Sequence, residues 1–158
     1  MRWVGVAGLA TLMACSTPKA PDPSKPAESA NLPSRPPRDL SRMLPPKGLA
    51  HSAVVPNHAA DFAKLPAGTV GDYEEAGRKY QIFIVEADGN QGAAFLLLDM
   101  KGALKDPEYL ASFGGYFASD TTGRPVFVFA KNQFLAGIVG LTKDGADPIA
   151  RILAARLK

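Results

Sequence analysis

Proline placement sets the first limit on what this chain can fold into. Ten of its fourteen prolines lie between Pro18 and Pro56, interleaved with Ser, Ala, Lys and Arg. Proline lacks a backbone donor and pushes its predecessor into extended geometry, so helices and central strands do not settle in such a stretch. Few large apolar side chains accompany these prolines, and burial cannot offset the entropy of ordering. Residues 15–58 are therefore expected to form a disordered, semi-rigid tether of polyproline-II character. At about 3.1 Å per residue it would reach on the order of 130 Å when extended. Folding is expected only in residues 59–158, enough for one small domain with its own core.

The residues before the tether have a different character. Arg2 gives a positive start, and residues 3–13 are apolar or small apart from Thr11. A spanning helix needs roughly 20 apolar residues, so this run is too short to cross a bilayer. It has the form of a secretory signal peptide over residues 1–14. Leu12, Met13 and Ala14 stand directly before Cys15, the single cysteine. This Leu-x-Ala-Cys string resembles the lipobox of bacterial lipoproteins. The resemblance implies cleavage after Ala14, a diacylglycerol on the Cys15 thiol and acylation of the new amino terminus. One acyl chain alone gives only marginal membrane binding, whereas two or three on one residue hold durably. Ser16, rather than Asp, after the cysteine resembles the pattern that directs such proteins to the outer membrane of Gram-negative cells. The domain would then lie in the periplasm or at the cell surface.

The chain's net charge of +3 belongs to the tether. Lys19, Lys25, Arg35, Arg38, Arg42 and Lys47 face only Asp22, Glu28 and Asp39, while residues 59–158 hold eleven bases and twelve acids. No nucleic-acid partner is expected. The membrane, through the lipid on Cys15, is the first partner, and an envelope protein or wall polymer the second.

Periodicity in residues 59–158 predicts a helix over 57–65, a strand over 69–74 and a turn at Ala76-Gly77. Next comes a strand over 80–86 (YQIFIVE), β-branched and aromatic. Asp88 or Asn90 starts a helix running to about Leu104, apolar nearly all round and so largely buried. Asp106-Pro107 has the form of a cap followed by proline at the first helical position, predicting a short helix to Phe113. A strand over 116–119, turn residues at 120–123, and a hairpin of 125–131 and 134–142 around Asn132-Gln133 follow. Asp147 and Pro148 predict the start of the last helix. The sum is an α+β domain: a small, mostly antiparallel sheet of four to five strands with three to four helices. Gly123-Arg124-Pro125 leading into the Phe127 and Phe134 strands resembles small bacterial envelope domains in which a glycine-punctuated strand pair precedes a terminal helix; that resemblance carries no active site.

Alternation in the hairpin places Phe127, Phe129, Lys131, Phe134, Ala136 and Ile138 on one face, and Val126, Val128, Ala130, Leu135, Gly137, Val139 and Leu141 on the other. Both faces are apolar; with three or four helices available they are expected to be covered from within the domain, and any surface left over must meet another helix, a ligand or a partner. The candidate partner surface is therefore Phe127, Phe129 and Lys131, together with the loop ends Asp120 and Arg124, for which an ion pair that stabilises the Thr121-Thr122-Gly123 turn is the other reading.

No catalytic motif is found. His51 and His58 lack the companions of a zinc site, no G-x-S-x-G elbow occurs, and no phosphate loop is present. A lipidated Cys15 is not a nucleophile. No enzyme, metal or cofactor is expected; the protein is expected to be a non-enzymatic binding or assembly module. The alternative is an envelope hydrolase using paired Asp or Glu, for which Glu74, Glu75, Glu86, Asp88, Asp99 and Asp120 are the acids to locate.

Overall fold

The computed structural model describes residues 36–158. These form seven strands and two α-helices: β1 (Leu49–Asn57), β2 (Pro66–Glu75), β3 (Arg78–Glu86), α1 (Gly89–Ala103), β4 (Lys105–Leu110), β5 (Gly115–Ser119), β6 (Pro125–Lys131), β7 (Phe134–Val139) and α2 (Lys143–Arg156). All seven strands join one sheet in the order β1-β2-β3-β7-β6-β5-β4, and every neighbouring pair is antiparallel. The chain meanders through β1, β2 and β3, then crosses by α1 to the far edge. It meanders back through β4, β5 and β6 and inserts β7 beside β3.

This overturns the expected α+β balance. The sheet has seven strands rather than four to five, and two α-helices stand where three to four were expected. Three misread segments account for the difference. Residues 57–65 hold only a 3-10 turn at Ala59–Asp61, with His58, Ala60 and Asp61 all at positive φ. Asp106-Pro107 lies in edge strand β4, where Asp106 has φ 49° and the register shifts between Lys105 and Glu108. An edge strand tolerates proline because the missing donor costs it no ladder bond. Finally, β1 falls inside the proline-rich stretch expected to be disordered. Leu40 and Leu44 ahead of it are buried, and the domain thus begins well before residue 59. The signal-peptide and lipidation readings, and the tether up to residue 35, lie outside the described residues.

Both faces of the sheet are apolar, and each is covered. On one face Ile82, Ile84, Phe127, Phe129, Phe134, Ala136 and Ile138 pack against Ala146, Ala150, Leu153 and Leu157, with Leu40 and Leu44 beside them. On the other, Phe83, Val85, Val126, Val128, Leu135 and Val139 pack under Leu97 and Met100 of α1 and under Phe62 and Leu65 of the β1–β2 connection. The hairpin alternation holds except at Leu141, which joins the first face. A strand buried on both sides reads as an unbroken apolar run, as in residues 82–85 and 134–139. Gly137 is required where it stands: a Cβ there would lie 2.5 Å from the Phe83 ring.

The turns follow from their residues. Ala76 and Gly77 both have positive φ (52° and 76°), the geometry that matches strand twist in a two-residue hairpin. Asn132 (φ 52°) opens the β6–β7 turn, and its side-chain amide donates to the Leu157 carbonyl at 3.2 Å. Thr142, not Asp147, caps α2, accepting from the Gly145 amide. Pro148 consequently lies inside the helix rather than at its first position.

Candidate functional site

The residues singled out from the sequence divide into three groups. Phe127 and Phe129 are 1% exposed and form the core beneath α2; they are not a partner surface. Their rings stand at 84°, and Phe113 packs edge-on against Phe127 at 5.1 Å between centroids. The phenylalanines of this face are covered from within the domain, by α2 together with Leu40, Leu44 and Phe113.

Asp120 and Arg124 do meet, as a closed turn. Asp120 is buried and accepts from the Thr122 amide (2.8 Å), the Thr122 hydroxyl (2.7 Å), the Arg124 amide (2.9 Å) and Arg124 Nε (2.7 Å). Burial pushes this carboxyl up, but the bonds from Thr122 and Arg124 outweigh it and hold it well below the usual carboxylate range. Every oxygen is engaged within the turn, which makes Asp120 the staple of the β5–β6 connection.

Lys131 is exposed at the end of β6. With Phe113, Ala154 and Arg151 it borders an open cleft of about 460 Å³ between β6 and α2. Arg151 is committed there, stacking on Phe113 at 5.3 Å and pairing with Asp147 at 2.7 Å.

Most of the acids lie apart from one another. Glu74 and Glu75 pair with Lys79 and Lys47, and Asp99 is exposed on α1. Glu86 and Asp88 do line one cleft, of about 460 Å³, walled by Pro36, Arg38 and Gly68. Glu86, however, accepts from Arg38 at 2.8 Å and from the Gln133 amide at 3.2 Å on the same oxygen. These two bonds join the end of β3 to the segment before β1 and to the β6–β7 turn. His51 lies on β1, and His58 follows it in the left-handed region. Among the described residues no three His, Cys, Asp or Glu side chains converge.

The surface that sequence reasoning missed is the outer side of α1. Ala93, Leu97 and Met100 point into the core, while Phe95 and Leu98 are 60% and 56% exposed. Three residues apart, they share one helix face, and Ala94 beside them is also exposed. The signal was present in the sequence: a helix apolar all round needs a second cover, and the sheet provides only one. At the flank, Lys101 lies over the Tyr116 ring (5.2 Å), and Tyr109, 60% exposed, packs edge-on against that ring. Comparison with protein-family models, curated proteins and solved structures finds no match to this chain.

Proposed function

We propose that the chain is a lipid-anchored lipoprotein of the bacterial envelope whose domain is a non-enzymatic docking module, engaging an apolar groove of an envelope protein through the outer face of α1. Cys15 carries the lipid, and the proline-rich residues after it give the domain reach. Ser16 favours the outer membrane as its destination. The observation that carries the docking role is the exposure of Phe95 and Leu98 on one face of α1, with no charged residue from Gly89 to Leu98. A lone exposed apolar side chain is ordinary. Two large ones a turn apart are the pattern by which a helix seats in a partner's groove.

Two measurements test the two halves separately. A palmitate analogue fed to cells should label wild type and leave Cys15→Ser unlabelled; equal labelling of both removes the anchor. Cross-linking in intact cells should capture a partner with wild type and lose it with the double change Phe95→Glu and Leu98→Glu, at unchanged thermal stability. Retention of the partner by that variant removes the α1 face.

A further inference from the structure

The two ends of the sheet are guarded unequally, and the unguarded one points to self-association. We infer that β1 is a dimerisation strand: two copies of this chain pair antiparallel along their β1 edges about a two-fold axis, merging two seven-stranded sheets into one. This rests on features other than the anchor and the α1 face.

Among the described residues β1 has a neighbour, β2, on one side only. Its other side carries a row of backbone N–H and C=O groups that a further strand can bond. Over its nine residues it has no Lys, Arg, Asp or Glu. Residues 52–55 run in unbroken register, Ser52 opposite Gly71, Ala53 opposite Val70, Val54 opposite Thr69 and Val55 opposite Gly68. The only register shift lies between Leu49 and His51, and the only proline, Pro56, stands next to the last residue. Both interruptions leave the middle of the strand straight and available.

β4, at the opposite end, has the devices that keep an edge solitary. Three of its first four residues are charged (Lys105, Asp106, Glu108), and Pro107 stands among them. Its register shifts between Lys105 and Glu108, Asp106 takes a positive φ of 49°, and Glu108 is tied to Lys143 at the start of α2. A sheet so defended at one end and bare at the other is built to be extended at the bare end.

The occupant follows from the chemistry of that edge. It must be an extended, uncharged strand whose side chains are small, and β1 of a second copy is such a strand. An antiparallel pair is self-complementary under a two-fold axis, so one surface serves both partners. Centred on Ala53 or Val54, the pairing sets Ser, Ala and Val side chains beside one another and brings no like charges together. Val54, 38% exposed, is the one large apolar side chain on β1 open enough to gain burial. Main-chain hydrogen bonds supply most of the affinity in strand addition, so the dimer should depend on concentration.

The test uses the full chain in cells, with a photo-crosslinking side chain at position 53 or, as control, at position 109 on β4. Position 53 should give a product of twice the mass of the uncrosslinked protein in the same cells, and position 109 should not. Adding Val54→Lys, which gives β1 the charge that β4 has, should lower that product at least tenfold, whereas Val54→Thr should retain it. Both changes fall at an exposed site, and an unaltered thermal midpoint confirms that the fold is intact. The inference is overturned by no doubled product from position 53, by a product with a different protein alone, by equal yields from the two edges, or by a yield indifferent to Val54→Lys.

Discussion

β1 and β4 close the same sheet at opposite ends, and they are held in place by different means. Neither contributes much to the core: β1 has no buried residue and β4 only Leu110. β4 is fastened along its own length, by Glu108 to Lys143 and by Tyr109 against Tyr116. β1 is fastened through the segment that leads into it. There the Leu40 amide donates to Thr69 Oγ1 at 2.9 Å, the Tyr73 hydroxyl donates to the Pro45 carbonyl at 2.8 Å, and Arg156 bonds the carbonyls of Met43 and Arg42. The anchors of β1 lie outside the strand itself, whereas those of β4 are side chains of its own residues. The difference teaches that two edges of one sheet, each with little core of its own, can be secured by different routes.

The first way to break this comparison is to remove the flank. Leu44 is 2% exposed, and Leu44→Ala should cost about 3 kcal/mol by denaturant titration. Amide exchange should quicken in β1 and stay unchanged in β4; equal quickening in both would mean the flank does not anchor β1 selectively. Next in size is Asp120→Ala, which unpairs the turn beyond β5 and should cost about 2 kcal/mol. Here the fold lowers the carboxyl's pKa, so its stabilisation is complete above the unfolded pKa, about 3.9, and is lost as pH falls through the folded value. The gap between wild type and Asp120→Ala should therefore be constant from pH 7 to about pH 5 and close in stronger acid. A gap independent of pH would assign the loss to packing instead.

Tyr73→Phe should cost about 1 kcal/mol, the worth of one buried hydrogen bond. Burial, and after it the neighbouring Tyr80, pushes the Tyr73 phenol well above its ordinary pKa, so the loss should be the same at pH 7 and pH 9. The smallest effect belongs to Lys47→Ala. Its ion pair with Glu75 is open to water, and such pairs contribute little; a resolvable shift of the melting midpoint would show that β1 depends on that pair as well.

Much of the sheet's centre was legible in the sequence because its residues answer to local rules. The run at 80–86, the Asn132-Gln133 hairpin and the helix after Asp88 each carry their own pattern. The edges were not legible, since edge strands are defined by what they lack. Pro45, Pro46 and Pro56 gave β1 the look of a tether, although prolines at the ends of an edge strand interrupt nothing. Asp106-Pro107 imitated a helix start because a cap followed by proline and an edge bulge use the same two residues. At α2 the competing caps were Thr142 and Asp147, and packing of Ala146 and Ala150 on the sheet chose the earlier one. The candidate surface went astray for a related reason. Alternation identified the aromatic face of the hairpin, but which helix would cover it is a tertiary fact. The outer side of α1 was left over by the same arrangement.

The position of β7 bears on how the domain comes into being. It lies between β3 and β6, with Ile82 opposite Ile138 and Val128 opposite Gly137, yet it is the last strand synthesised. Until it is in place, the two meanders have no shared ladder, and the inner sides of β3 and β6 remain unpaired. Such long-range closure is slow compared with local pairing, and the open edges are prone to association with other chains. A growing chain therefore cannot complete this sheet from its first strands onward. The domain should assemble only once β7 has been synthesised and can enter between β3 and β6.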